Sequence, residues 1–170
     1  MRDRPSSRAF PLALLVGGLI GLAVSVPRAP VLVWNATASA PIGLYLRRVK
    51  PALARGDLVL VKPPAWVASF AAKRGYLPLN VPLIKRAVAL AGDTVCAKGD
   101  TIWLNGKVLV TRRATDAKGR LLPHWSACRK LARDDVFLAM VSVPDSYDSR
   151  YFGPVSASNV IEQLVPLWTR

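Results

Sequence analysis

A chain of 170 residues, 52% of them hydrophobic, has room for one domain with a real core and is not a disordered polymer. Its formal charge of +14 points toward anionic lipid, nucleic acid or an acidic partner. The basic residues are nonetheless scattered, as at Arg47, Arg48, Lys50, Lys62, Lys73, Arg74, Arg112, Arg113, Arg129 and Lys130. No nucleic-acid motif accompanies them, so a solvated, lipid-facing surface is expected and no nucleic acid.

The first element is the uncharged run over residues 10–26, FPLALLVGGLIGLAVSV. As a helix it spans about 26 Å, a little short of a ~30 Å hydrocarbon core but workable. Arg2, Arg4 and Arg8 precede it, whereas Arg28 alone lies shortly after it. The positive-inside rule then predicts a cytoplasmic tail over 1–9, a transmembrane anchor over 10–26 and an exported domain over 27–170. The alternative is a cleaved signal peptide. The run exceeds the usual ~7–15 apolar residues of such a peptide, and no small-x-small site directly follows it. Ala36-Thr37-Ala38 fits that rule but lies too far downstream. A retained single-pass anchor is expected.

Residues 31–34 are apolar, and Asn35-Ala36-Thr37-Ala38-Ser39-Ala40-Pro41 is small and turn-like. Residues 42–46 read as a strand. Arg55-Gly56-Asp57 is a turn into a second strand over 58–62. Pro63-Pro64 opens a short helix in which Trp66, Phe70 and also Val67 and Ala71 share one face. Gly75 sits where the residue after a helix belongs. LIKRAVAL, residues 83–90, is a strand whose polar members are Lys85 and Arg86, followed by a Gly92-Asp93 turn. Asn105-Gly106, between 101–104 and 107–110, is the strongest hairpin signal in the chain. Residues 111–134 read as a loop region or small lobe; 136–143 and 160–167 are late strands separated by 145–159. The fold class is therefore mainly β, an antiparallel sheet domain with one short helix, on an N-terminal transmembrane helix.

Cys96 and Cys128 both fall in the exported part, where two cysteines suggest one disulfide. Two separate buried thiols are the alternative. His124 is the single histidine, so neither a Ser-His-Asp triad nor close metal-site spacing is offered, and no metal or other cofactor is expected. A lysine base remains. An ammonium near its ordinary pKa of about 10.4 accepts no proton at neutral pH, but desolvation lowers that value by up to ~3–5 units. Lys85 is flanked by Leu83-Ile84 and Ala87-Val88-Ala89-Leu90-Ala91, and a strand there turns it toward an apolar pocket. Most such lysines snorkel to water, so the local pattern alone assigns Lys85 no more than Ser39.

In order, five segments resemble the boxes of the type I signal peptidases. They are Ser39-Ala40-Pro41; Arg55-Gly56-Asp57-Leu58-Val59; Lys85-Arg86-Ala87-Val88-Ala89-Leu90-Ala91-Gly92-Asp93; Ile102-Trp103-Leu104-Asn105-Gly106; and Asp148-Ser149-Arg150-Tyr151-Phe152-Gly153. A narrower resemblance is to the TraF-type peptidases of conjugative plasmid transfer. It lies in Asn35-Ala36-Thr37-Ala38-Ser39-Ala40-Pro41-Ile42-Gly43-Leu44-Tyr45, Arg74-Gly75-Tyr76 and Arg150-Tyr151-Phe152-Gly153-Pro154. Two departures separate the chain from general signal peptidases. One residue rather than two lies between Ser39 and its proline, and Met140-Val141-Ser142-Val143 replaces a Gly-Asp-Asn-Arg stretch. Both argue for a dedicated substrate.

The resemblance implies that Ser39 is the nucleophile and Lys85 the general base. It implies the Ser39 N–H and the Thr37 hydroxyl as oxyanion donors, Ser146 as the residue orienting the lysine amine, and Asp148 with Arg150 as a structural pair beside the site. It further implies a bacterial inner-membrane protein with its catalytic domain in the periplasm. The substrate would be a membrane-tethered precursor, in the TraF branch a conjugative pilin precursor, cleaved and in some members cyclised. A general signal peptidase and a non-enzymatic basic module of a secretion channel are the alternatives.

Overall fold

The computed structural model describes residues 31–49 and 52–170. The expected tail and anchor lie outside the described residues, as do positions 27–30. Among the described residues no helix is long and apolar enough to cross a membrane. Val31–Arg170 forms one compact unit, mainly β, built from a seven-stranded and a four-stranded sheet.

The larger sheet begins with β1 (Leu32–Asn35) and β2 (Gly43–Arg48), an antiparallel pair closed by Asn35 opposite Gly43. Then come β3 (Leu58–Val61), helix α1 (Ala65–Arg74) and β4 (Leu83–Ala89). The smaller sheet follows as β5 (Thr94–Lys98), β6 (Thr101–Leu104), β7 (Lys107–Thr111) and β8 (Ala127–Lys130). The chain returns to the larger sheet with β9 (Asp135–Leu138), the one-turn helix α2 (Ser149–Phe152), β10 (Val155–Ser156) and β11 (Val160–Thr169). The strand orders are β1-β2-β11-β3-β4-β9-β10 and β7-β6-β5-β8. The β1–β2 hairpin thus joins the rest of its sheet through β11.

Period-two alternation sorts the β4 side chains onto two faces. Ile84 joins Ala40, Tyr45, Leu58, Leu60, Met140 and Leu164 in one buried cluster. Ala87 lies on the other face with Val59, Val61, Val136, Leu138 and Val155. Lys85 has the parity of Ala87 and stands opposite Val59. A third cluster, Val67, Ala71, Tyr147 and Tyr151, packs α1 against the segment around α2.

Three local readings change. Trp66 is 52% exposed, while Val67 and Ala71 form the buried face of α1; the apolar stripe is rotated toward the smaller residues, which allow closer approach. The stretch 111–134 contains a strand, β8, and 145–159 contains α2. β8 is exposed throughout and α2 is a single turn, so neither shows an apolar pattern; α2 is fixed by its cap, Asp148 accepting from the Arg150 N–H. The α1 terminus follows expectation. Gly75 takes the left-handed conformation at φ 72°, and the Gly75 and Tyr76 N–H groups bond the Ala72 and Ala71 carbonyls.

Candidate active site

Ser39 lies in the turn between β1 and β2, and that turn is wound around one buried side chain. Asn35 Nδ2 donates to the carbonyls of Thr37, Ala40 and Pro41, each at 3.0 Å. Asn35 Oδ1 accepts from the Thr37 N–H at 3.1 Å and from Thr37 Oγ1 at 2.9 Å. Buried Tyr45 donates its hydroxyl to the Pro41 carbonyl. Seven residues without regular structure therefore have little freedom. Thr37 Oγ1 lies 3.2 Å from Ser39 Oγ. Because the Thr37 proton is directed to Asn35, the Ser39 hydroxyl is the donor of that bond.

Lys85 sits in mid-strand in β4 and is fully buried. Its Nζ donates to Ser146 Oγ at 2.8 Å. Burial lowers the amine's pKa from its ordinary value to about 8; the Asp148 charge opposes this and the Arg150 charge adds to it. At pH 7 about a tenth of the lysine is then unprotonated, against a few parts in ten thousand for a free side chain. Asp148 and Arg150 offset each other because they form a bidentate pair with no solvent exposure, Nε to Oδ1 at 2.7 Å and Nη2 to Oδ2 at 2.9 Å. Arg150 also donates to the Met140 and Pro144 carbonyls, and the Met140 N–H donates to Asp148 Oδ2. With both charges hydrogen-bonded on all sides, the buried pair avoids the penalty of an isolated ion.

Ser39 and Lys85 line one cavity of about 330 Å³, with Thr37, Ala38, Leu83 and Tyr147 among its walls. No direct hydrogen bond joins the serine hydroxyl to the lysine amine: each is held by its own partner, Thr37 and Ser146. Catalytic hydrogen bonds are often long in a substrate-free site and tighten on binding. Tyr76 and Asp116 also line the cavity. Asp116 accepts from the Tyr76 hydroxyl and from Arg120 Nε at 2.8 Å. The Tyr76 bond first, then Arg120 and two backbone N–H groups, hold the Asp116 carboxyl well below the usual range.

Thr37, Ser39, Lys85, Ser146, Asp148 and Arg150 are thus gathered from the first hairpin, β4 and the α2 segment. Cys96 and Cys128 lie away from this cluster in the smaller sheet, where they are bonded to each other across β5 and β8. His124 is exposed. Sequence reasoning assigned no role to Asn35, although an Asn opening a turn of small residues is a recognisable signal for side-chain-to-backbone bonding. Tyr147 also went unread.

Comparison with known proteins places the chain in a lineage. The family model "Signal peptidase, peptidase S26" matches residues 6–168. A plasmid transfer protein TraF from Escherichia coli is 33% identical over 145 residues, covering 79% of this chain and 81% of its own length. A conjugal transfer protein TraF from Agrobacterium fabrum is 32% identical over 151 residues with the same coverage. Among solved structures, a signal peptidase I from Enterococcus faecalis V583 is similar at 22% identity, with a TM-score of 0.40 over 69% of this chain and 100% of that one. On the strength of the family match and the TraF relatives, the chain belongs to the signal peptidase family, peptidase S26.

Proposed function

We propose that this chain is a membrane-anchored serine endopeptidase that processes an exported, membrane-tethered precursor, a conjugative pilin precursor, through a Ser39 acyl-enzyme with Lys85 as general base. The observation that carries the reading is a buried lysine whose amine is depressed to about pH 8 and which lines the same cavity as Ser39. In the proposed reaction the Ser39 hydroxyl turns from Thr37 toward Lys85 and attacks the scissile carbonyl as neutral Lys85 takes its proton. Protonated Lys85 then donates to the leaving amine. Water, or an amine of the substrate itself, resolves the ester. Ser146 holds the amine in place through its 2.8 Å bond. The Ser39 N–H is one oxyanion donor; Thr37 becomes a second when its hydroxyl leaves Asn35, and each such donor contributes roughly 3–4 kcal/mol. The choice of precursor is supported by the conjugal-transfer names of the relatives. The membrane setting is supported by the uncharged run over 10–26.

The test is co-expression of the full chain with a conjugative pilin precursor in membranes. Ser39→Ala and Lys85→Ala are each expected to reduce processing by at least about a thousandfold while the amount of folded protein stays the same. Cleavage that survives either substitution would rule out the dyad. Intact-mass analysis of the membrane fraction is expected to find residues 1–30 still attached, and the mass of the product separates hydrolysis from ring closure by one water.

A further inference from the structure

We infer that Tyr147 is a substrate-binding residue: its hydroxyl donates a hydrogen bond to an acceptor oxygen of the precursor segment that fills the cavity beside Ser39. This rests on the peptidase reading above and adds a specificity contact to it.

The chain has four tyrosines, and three of them place their hydroxyls. Tyr45 donates to the Pro41 carbonyl, Tyr76 donates to Asp116, and Tyr151 accepts from the Arg113 N–H. Tyr147 is only 8% exposed, yet among the described residues its hydroxyl has no hydrogen-bond partner. Buried phenols nearly always find one, so an orphan lining the cavity that holds Ser39 and Lys85 asks for an explanation.

The ring is not free to swing away and find a partner. Phe70 stacks on it with centroids 5.5 Å apart, Tyr151 stacks at 6.0 Å, Phe152 meets it edge-on at 5.5 Å, and Tyr76 is tilted against it at 5.6 Å. Four rings, from α1, from Tyr76 two residues beyond its end and from α2, therefore fix where the donor sits. The nearby carboxylate, Asp116, is already engaged by Tyr76, Arg120 and the Lys118 N–H. Among the described residues no acceptor is left for the Tyr147 hydroxyl, and a bound substrate supplies one. Burial raises the phenol's pKa far above its ordinary value, so the hydroxyl remains a proton donor throughout the range in which Lys85 titrates.

The cavity fits such a visitor. Ala38, Ala71, Leu77, Leu83, Ala117 and Leu122 supply apolar walls, and about 330 Å³ falls at the lower end of ligand-site volumes. Apolar walls with one rigid, unpaired donor define a subsite for a residue that is apolar in bulk and carries one oxygen acceptor, either its side chain or its backbone carbonyl. A site built around such a donor discriminates strongly against a substrate lacking the matching acceptor.

The experiment uses the full chain in lipid vesicles and peptides spanning the cleavage junction of a conjugative pilin precursor. Tyr147→Phe keeps the ring and removes the donor. It is expected to raise KM about three- to tenfold, with kcat changed less than KM and Tm within about 2 °C of the parent. Two peptide series locate the acceptor: polar side chains replaced one at a time by apolar isosteres, and backbone amides replaced one at a time by esters. One replacement is expected to raise KM for the parent enzyme and to add nothing in Tyr147→Phe. The inference is overturned if KM is unmoved, if kcat alone falls, or if every replacement costs the same in both proteins. Ser39→Ala in the same assay separates the two claims: cleavage there sinks the peptidase reading, whereas a dead Ser39→Ala beside an indifferent Tyr147→Phe sinks this one alone.

Discussion

The larger sheet and the smaller one are held together by opposite means. In the larger sheet the Asp148–Arg150 pair is sunk completely and stitches α2 to residues 138–140, with Ser149 Oγ accepting from the Leu138 N–H. The smaller sheet buries Val95, Ala97 and Ile102 against Phe137 and Ala89, but β8 is exposed along its whole length. A covalent bond between Cys96 and Cys128 takes the place of a second packed face. Arg112 ties the two regions together, donating to the Gly99 and Trp125 carbonyls on one side and to the Arg150 carbonyl on the other. Lys85 is buried beside the balanced ion pair of the larger sheet, a dry setting that the exposed β8 of the smaller sheet does not offer.

Breaking each device should expose the difference. Arg150→Met leaves Asp148 buried without its partner and is expected to cost about 3–5 kcal/mol in urea unfolding. A loss under 1 kcal/mol would show that the pair is not what secures α2. Replacing both cysteines by serine is expected to cost about 3–4 kcal/mol, since the bond spans 32 residues of sequence. Hydrogen exchange should then rise in β5 to β8 before it rises in β4.

Lys85 offers a third, pH-dependent contrast. Its folded pKa of about 8 lies below the 10.5 of an exposed lysine, so between these values the unfolded chain binds more protons and stability increases with pH. Below pH 8 both states are protonated and the penalty for burying the ammonium is constant. Lys85→Met is therefore expected to be more stable than the parent at pH 7, by up to about 3 kcal/mol, with the gap closing as pH rises from 8 to 10.5. Parallel melting curves at pH 7 and 10.5 would break this account if the gap stayed constant. Activity should climb through about pH 8 for the same reason. The smallest effect is expected at the end of α1: Gly75→Ala forces a side chain into φ 72° and should cost about 1 kcal/mol, read as a small drop in Tm.

Much of this was legible before any coordinates. The five boxes, the Asn105-Gly106 hairpin and the Gly75 stop are local chemistry, and local chemistry shows in a linear string. What escaped was non-local or too short. β8 is four residues long and exposed throughout, so periodicity had nothing to register there, and β5 alternates with only two buried positions, Val95 and Ala97. Asn35 matters because its two ends reach five groups of one loop, a fact of the fold rather than of spacing. Tyr147 looked like one more residue before a motif; its meaning lies in three partnered hydroxyls elsewhere and four rings around it.

Strand β11 has a consequence for how the protein comes into being. It lies between β2 and β3, Gly43 meets it so closely that a side chain there would sit 2.0 Å from the Trp168 carbonyl oxygen, and the Arg170 N–H bonds the Ile42 carbonyl. The hairpin bearing Ser39 is therefore linked by strand pairing to the strand bearing Lys85 only after residues 160–169 have been made and delivered. Contacts so distant along the chain form late. On the proposed function, a nascent chain still emerging holds Ser39 and Lys85 in separate pieces, and cleavage of a precursor waits until β11 locks in.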